Sequence, residues 1–258
     1  MTDLSAFSLE GKTIMVTGAN TGIGQGIALA VVRAGGRVLA VARSNMDDTV
    51  RKAAAISDLE SSITPLSADL GAAIPAQTML ETAWNTHGPI HGLVNNAGII
   101  RRADALDFTE SDWDAVMDVN LKTAFFLSQA FARRALQEAQ PKGKIVNIAS
   151  MLSFQGGIRV ASYTASKSGI LGLTRLLACE WAQKGINVNA IAPGYIETNN
   201  TEALRADPDR NAQILDRIPA GRWGAPSDIG DAAVFLLASA SDYMHGATIP
   251  VDGGWLAR

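Results

Sequence analysis

Seven short, mostly apolar runs alternate along the chain with longer segments of helical periodicity, and this alternation constrains the fold more than any other feature. The apolar runs lie at residues 13–17, 37–42, 62–67, 92–95, 144–149, 187–192 and 248–251. Helical spacing marks residues 22–34, 47–60, 76–87, 111–139, 161–184 and 227–238. Runs such as IVNIA and VNAIA are apolar nearly throughout, as parallel strands covered by helices on both faces require. The sequence therefore predicts an α/β fold with a doubly wound parallel sheet of about seven strands.

The 258 residues, 1–258, are expected to form a single domain, because no linker rich in proline, serine or charge interrupts the alternation. A chain of this length can bury roughly seven tenths of its surface in one core. Residues 199–224 depart from the pattern, since they are polar and contain Pro208 and Pro219. We interpret them as an insertion, between a strand and the next helix, that covers a substrate.

Charge and hydropathy exclude several classes of partner. With 22 basic and 25 acidic side chains the net charge is -3, so we expect no binding of nucleic acid or of an anionic membrane. No stretch approaches the length of about 18 apolar residues that a membrane-spanning helix needs. A small-molecule substrate is the better expectation.

Cysteine and histidine provide no further chemistry. The single cysteine, Cys179, lies in an apolar helical stripe and is expected to be buried, and the first residues carry no secretory signal, so a cytoplasmic protein is expected. His87 and His91 are four residues apart, but Gly88 and Pro89 break the helix between them. The sequence therefore predicts no metal site.

A glycine-rich turn follows the first predicted strand, in the sequence TGANTGIGQG. Gly18, Gly22 and Gly24 would let the backbone approach a pyrophosphate, and the helix that follows would offer free N–H groups and the positive end of its dipole. A triphosphate-binding loop would need Lys after the last glycine, where this chain has Gln25. The turn predicts a dinucleotide site.

The end of the second strand bears on which dinucleotide is bound. A carboxylate there would favour the ribose hydroxyls of NAD, whereas a cation suits the 2'-phosphate of NADP. The chain has Ala42, Arg43 and Ser44, and no carboxylate before Asp47. Arg43 can present a bidentate fork to phosphate, so NADP is preferred and NAD is the alternative.

Four polar side chains further along the chain are candidates for catalysis. Tyr163 and Lys167 are four apart in a helical segment and share one face, and Ser150 closes a strand at the sheet edge where ligands bind. Asn120 lies in the predicted helical segment 111–139, after the NNAG motif that starts at Asn95 and before Ser150. We expect Ser150, Tyr163 and Lys167 to converge.

In its TGxxxGxG turn, NNAG, Asn120, Ser150 and YxxxK motif, all in order, the chain closely resembles the short-chain dehydrogenase/reductase family. The resemblance implies a Rossmann domain and hydride transfer between a secondary alcohol and a ketone. It implies that Tyr163 is the acid/base, that Ser150 orients the reacting oxygen, and that Asn120 holds a water in a proton relay to Lys167. The Lys167 ammonium and the oxidised nicotinamide would lower the pKa of Tyr163.

The same resemblance implies a set of cofactor contacts. Asp69 would meet the adenine, Asn95 would lie near the adenosine side, and Ile196 and Thr198 would meet the carboxamide. The expected contacts are Gly18, Asn20, Thr21, Gly22, Ile23, Gly24, Arg43, Ser44, Asp69, Leu70, Asn96, Ala97, Gly98, Tyr163, Lys167, Pro193, Gly194, Ile196 and Thr198.

A narrower resemblance, in NIASMLSFQGGIRV, ILDRIPAGRWG and VDGGWLAR, is to the branch of that family described as 2-dehydro-3-deoxy-D-gluconate 5-dehydrogenases or 2-deoxy-D-gluconate 3-dehydrogenases. It implies a sugar-acid substrate, although that branch is usually linked with NAD. Arg101 and Arg222 also lie near the motifs, and arginine is equally favoured at subunit contacts. The residues expected to hold the substrate are Ser150, Arg102 or Arg159 for the carboxylate, and Gln155 and Asn200 for hydroxyls.

Other functions stay open on the sequence alone. The substrate could instead be a neutral polyol or another small carbonyl compound, and a dinucleotide-binding sensor without turnover is a further alternative. An intact Tyr163 and Lys167 argue against the sensor. The family resemblance also implies a homotetramer, with residues 111–139 and 161–184 buried between subunits.

Overall fold

A computed structural model describes residues 4–56, 62–71 and 76–258. Within them seven strands form one parallel sheet, as the sequence predicts. The strands are β1 (Thr13–Thr17), β2 (Arg37–Ala42), β3 (Ile63–Ser67), β4 (Gly92–Asn95), β5 (Gly143–Ile148), β6 (Ile186–Pro193) and β7 (Thr248–Val251). Their order across the sheet is β3-β2-β1-β4-β5-β6-β7. The strand order reverses beside β1, which pairs with both β2 and β4, and such a switch point is where doubly wound sheets bind ligands.

The described helices are α1 (Gly22–Arg33), α2 (Asp47–Ala54), α3 (Ala76–His87), α4 (Glu110–Met117), α5 (Thr123–Ala135), α6 (Ala161–Trp181), α7 (Glu202–Ala206), α8 (Pro208–Arg217) and α9 (Pro226–Leu237). One helix was predicted over residues 111–139, but a π-helical turn, Asp118–Lys122, separates α4 from α5, and α5 ends at Ala135. The predicted helix 47–60 ends earlier, at Ala54, and its last residues, 57–60, lie outside the described residues.

Apolar side chains cover both faces of the sheet. On one face Ile27 of α1 and Ile229 of α9 pack against the strands, and on the other Leu80 of α3, Phe131 of α5 and Leu177 of α6 do so. All five are buried, which explains why the strands are apolar on both sides. The sheet edge that carries the site is therefore held by helices on both faces.

Two features differ from the sequence-based expectation. Residues 199–224 contain the helices α7 and α8, and α8 packs through Ile214 on the C-terminal Trp255. Cys179 is exposed, so the prediction that it is buried was wrong: Leu177 and Ala178 take the inward positions and the next residue turns outward. Among the described residues, no helix is both long and apolar enough to cross a membrane.

Candidate active site

The turn between β1 and α1 is built for close approach of an anion. Gly18 and Gly22 have φ of 66° and 55°, a region that L side chains rarely adopt. A Cβ on Gly24 would lie 2.1 Å from the Gly18 carbonyl oxygen, so only glycine fits there. Because α1 begins at Gly22, its first N–H groups face this turn and favour negative charge.

The NNAG motif fastens this turn to the neighbouring strand. Asn96 Nδ2 donates to the carbonyl oxygen of Thr17 at 2.8 Å, and the Asn96 N–H donates to Thr17 Oγ1 at 3.0 Å. Asn95 was expected near the adenosine side, but it is buried inside the fold. Its Nδ2 donates to Ser128 Oγ and Asn147 Oδ1, at 2.9 and 2.8 Å, because it belongs to strand β4 and faces the helices below the sheet edge.

Two adjoining cavities meet at the sheet edge. The first, of about 310 Å³, extends from the glycine turn to Ser150, Tyr163 and Lys167, and the second, of about 640 Å³, lies beside the end of β2. Every predicted cofactor contact lines one of the two. Lining residues that the sequence did not predict are Ala68, Gly71, Ile99, Ala115, Val119, Ile148, Ala149, Asn199 and Thr201, and all of these except Ala115 lie within two positions of a predicted residue in the chain.

The second cavity carries the residues that would discriminate between dinucleotides. Arg43 and Ser44 follow β2, and Arg43 Nη1 lies 3.8 Å from Asp69 Oδ2. The Arg43 side chain is 76% exposed, so its guanidinium is accessible to a phosphate despite this long contact with Asp69. Among the lining residues only Asp69 is acidic, and it lies opposite Arg43 rather than at the end of β2.

Three predicted catalytic side chains converge on the first cavity. Ser150 follows β5, and its Oγ accepts a hydrogen bond from the Leu152 N–H at 3.1 Å, which fixes the hydroxyl at the start of a short 3-10 helix. Lys167 is buried, and its Nζ donates to the Ile148 carbonyl oxygen at 2.6 Å and lies 5.7 Å from the Tyr163 ring centroid. The helix α6 thus presents Tyr163 and Lys167 one turn apart on the face toward Ser150.

Burial dominates the protonation of this group. It lowers the pKa of Lys167 from 10.5 to about 8, because an ammonium loses its hydration. Burial also raises the pKa of the Tyr163 phenol, while hydrogen bonding from Ser150 and the positive charge of Arg102 act in the opposite direction. In the chain by itself the pKa of Tyr163 is thus raised; the lowering predicted from the sequence requires the bound oxidised nicotinamide in addition to the Lys167 ammonium.

Asn120 lies under the wall of the cleft rather than in it. The π-helical turn aims its side chain at Ile99: Oδ1 accepts from the Ile99 N–H at 2.8 Å, and Nδ2 donates to the Ile99 carbonyl oxygen at 3.0 Å. Nδ2 also donates to Ser166 Oγ at 3.2 Å, and Asn120 is only 2% exposed. π-Helical turns occur most often at functional sites, and this one supports the segment that follows NNAG.

The four candidate cations for an acidic substrate differ in their partners. Arg101 pairs with Asp112 and Arg159 with Asp104, both at 3.2 Å, and Arg222 pairs with Asp228 at 2.8 Å. Arg102 is the fourth candidate. Among the described residues Arg102 forms no ion pair within 4.0 Å, and its charge acts on Tyr163.

Only some of the predicted substrate residues line a cavity. Asn200 and Ser150 line the first cavity. Gln155 lies further out, where its Oε1 accepts a hydrogen bond from Trp255 Nε1 at 3.2 Å. Arg102, Gln155 and Arg159 line neither cavity, so the structure brings them beside the cleft rather than into it.

Known proteins are similar to this chain over nearly its whole length. A family model described as enoyl-(acyl carrier protein) reductase matches residues 18–256. A 2-dehydro-3-deoxy-D-gluconate 5-dehydrogenase of Escherichia coli is 57% identical over 99% of both chains, and one of Dickeya dadantii is 54% identical over the same shares. A crystal structure from Agrobacterium tumefaciens, described as a 2-deoxy-D-gluconate 3-dehydrogenase with bound NADP, is 58% identical with a TM-score of 0.91, over 98% of this chain and 99% of that one. The chain therefore belongs to the short-chain dehydrogenase/reductase family.

Proposed function

We propose that this chain is an NADP-dependent oxidoreductase that interconverts a secondary alcohol and a ketone on a sugar acid of the 2-deoxy-D-gluconate or 2-dehydro-3-deoxy-D-gluconate type. One observation carries the proposal: a cleft begins at a glycine turn suited to pyrophosphate and ends at Ser150, Tyr163 and Lys167. The names of the similar proteins support the sugar acid and the cofactor.

The residues present fit a nicotinamide dinucleotide. A Cβ on Gly24 would fill the cradle beside the Gly18 carbonyl, and the N-terminus of α1 supplies the N–H donors that a pyrophosphate needs. Arg43 and Ser44 would hold the 2'-phosphate, which supports NADP over NAD. When bound, the nicotinamide supplies the acceptor or donor of the hydride.

The protein side chains would handle the proton. In the oxidation direction Tyr163 takes the hydroxyl proton of the substrate as hydride leaves the same carbon, and in reduction Tyr163 returns a proton to the ketone oxygen. Ser150 donates a hydrogen bond to that oxygen and holds it in line. The Lys167 charge, 5.7 Å from the Tyr163 ring, favours the phenolate over the neutral phenol.

The carboxylate of the substrate would be held by Arg102. Each of the other three candidate arginines is already paired with an aspartate, whereas Arg102 forms no ion pair within 4.0 Å among the described residues. Its charge reaches Tyr163, so a carboxylate bound there would place the sugar chain beside the phenol. Residues 199–224 form part of the same single domain and would cover the substrate, with Asn200 and Gln155 offering amides to its hydroxyls.

A homotetramer, active in the cytoplasm, completes the proposal. Large apolar side chains stand exposed on three successive helices: Trp113 on α4, Phe126 on α5 and Leu176 on α6 are 40%, 46% and 49% exposed. Apolar faces of this kind mark protein interfaces, and α4–α6 are the helices that the family resemblance assigns to the subunit contact.

Initial rates of oxidation and of reduction, measured with NADP and with NAD from the absorbance of the reduced cofactor, would test the function. The substrates are 2-deoxy-D-gluconate, 2-keto-3-deoxygluconate, D-gluconate, neutral sugars and simple alcohols, each run with wild type and Tyr163→Phe. We expect turnover only of sugar acids, with a preference for NADP, and its loss in the variant. Turnover of neutral alcohols alone would reject the sugar acid, and cofactor binding without any turnover would favour the sensor.

A further inference from the structure

Residues 99–104, which follow the NNAG motif, are held by contacts at both ends of the segment. At its start, the Asn120 side chain exchanges two hydrogen bonds with the backbone of Ile99. At its end, the Ala103 N–H donates to the Arg159 carbonyl oxygen at 3.2 Å, and Arg159 Nε lies 3.2 Å from Asp104 Oδ1 in an ion pair. Arg102 lies between these two attachments, so its position depends on both.

Arg159 adopts an unusual backbone conformation at this attachment. It has φ of 63°, and among the described residues it alone combines a positive φ with a side chain. That region disfavours L side chains, and such strain persists only where the surrounding contacts hold it. Here the contacts are those to Ala103 and Asp104, which bring the loop before α6 onto the loop after β4.

We propose that Arg159 is a positioning residue that does not bind the substrate itself: with Asp104 it fastens residues 103–104 and thereby sets where the Arg102 guanidinium meets the substrate carboxylate. This inference rests on the proposed function, because it assigns a substrate-binding task to Arg102. It also separates two arginines that the sequence pattern alone treats as equivalent. Arg159 is 61% exposed and already has a carboxylate partner, whereas Arg102 has none among the described residues.

Three variants distinguish positioning from direct binding: Asp104→Asn, Arg159→Gln and the double variant. Each single change removes the same exposed ion pair, so each should raise KM for the sugar acid by about fivefold, with kcat changed less than about twofold. The double variant should also show a rise of about fivefold rather than about twenty-five-fold, because both changes break one interaction. If Arg159 bound the carboxylate directly, Asp104→Asn would leave KM unchanged or lower it while Arg159→Gln raised it, and the proposal would be wrong.

The Arg102→Gln background provides the second arm. If Arg159 acts through Arg102, adding Arg159→Gln to Arg102→Gln should cause no further rise in KM, whereas an independent further rise would overturn the proposal. Asp231→Asn is the matched control, since it removes the exposed Arg33–Asp231 pair, which is 3.3 Å long against 3.2 Å for Arg159–Asp104 and lies far along the chain from Arg102. The control should leave KM unchanged.

Hydrogen exchange at the Ala103 amide measures the attachment without any substrate. In Asp104→Asn and Arg159→Gln this amide should exchange faster than in wild type, while it stays unchanged in Asp231→Asn. Arg159→Gly removes the backbone strain together with the ion pair, so it should fold at least as stably as wild type and still raise KM. Unchanged exchange in the first two variants would reject the attachment even if sugar acids are turned over; faster exchange without sugar-acid turnover would reject only the proposed function.

Discussion

Burying the Lys167 ammonium beside the Tyr163 phenol lowers the stability of the folded chain, but it places a positive charge next to the proposed acid/base. The only hydrogen-bond acceptor of Lys167 among the described residues is the Ile148 carbonyl, and burial lowers the pKa of Lys167 to about 8. The folded chain therefore holds fewer protons than the unfolded chain between about pH 8 and pH 10.5, so the free energy of unfolding should rise with pH across that window. Below pH 8 the full cost is present, at the pH where the charge serves Tyr163.

Replacing this lysine should raise the stability of the folded chain and abolish its activity. Lys167→Met keeps the length of the side chain and removes the charge, so it should raise the free energy of unfolding at pH 7 by up to about 3 kcal/mol while abolishing turnover. The gain over wild type should shrink between about pH 8 and pH 10.5. Denaturant unfolding at several pH values checks this, and a variant less stable than wild type at pH 7 would refute it.

Arg43 governs the choice of cofactor in our account. Arg43→Gln removes a charged partner of the 2'-phosphate, so NADP binding should weaken by about tenfold to a hundredfold, with NAD binding changed little. Arg37 lies at the opposite end of the same strand and is exposed, which makes Arg37→Gln the matched control. Dissociation constants measured by fluorescence of the reduced cofactors decide the matter; equal losses for both cofactors would mean that Arg43 only stacks on the adenine.

At the scale of elements, the sequence predicted strands better than helices. Four strands begin and end at the predicted residues, because a buried parallel strand is apolar on both faces and ends at a turn signal. The π-helical turn at Asp118–Lys122 could not be seen, since one extra residue per turn hardly alters the apolar spacing of a long helix. Asn120 was found from its motif, but its contact with Ile99 depends on that turn.

The two helices inside residues 199–224 were overlooked for a different reason. The polar composition and the two prolines predict an insertion outside the strand–helix pattern, whereas Pro208 stands in the first turn of α8. Asp207 caps that helix by accepting from the Arg210 N–H at 3.0 Å, so Asp-Pro was a start signal. Of the candidate site, the sequence predicted which residues line the cleft but not which arginines are already paired, because ion pairs between loops depend on tertiary structure.

At the scale of the whole molecule, residues 199–224 are fastened to the C-terminal segment by their own apolar cluster. Ile214, Ile218 and Trp223 pack with Trp255, and the Arg217 guanidinium lies 4.1 Å from the Trp255 ring centroid. Gln155 joins the same cluster through the Trp255 indole. Residues 199–224 therefore form a small packed unit with the C-terminal segment, separate from the main core clusters.

Trp255→Ala should loosen that unit specifically. We expect the free energy of unfolding to fall by about 3 kcal/mol, as for other buried aromatic truncations, with faster hydrogen exchange concentrated in α8. Trp113→Ala is the comparison, since Trp113 is 40% exposed and lies outside the cluster. A uniform loss of protection across the sheet, rather than in α8, would mean that the cluster is part of the main core.

We propose above all that hydride passes from a carbon of a sugar acid to the nicotinamide in this cleft, and that Tyr163 takes the hydroxyl proton. The most direct test uses a sugar acid deuterated at the carbon that is oxidised, incubated with NADP and analysed by mass spectrometry of the reduced cofactor. We expect the deuterium to appear in the cofactor with wild-type protein and not with Tyr163→Phe, although both bind the cofactor. Cofactor bound by the wild type without transfer of deuterium from any sugar acid would contradict the proposal.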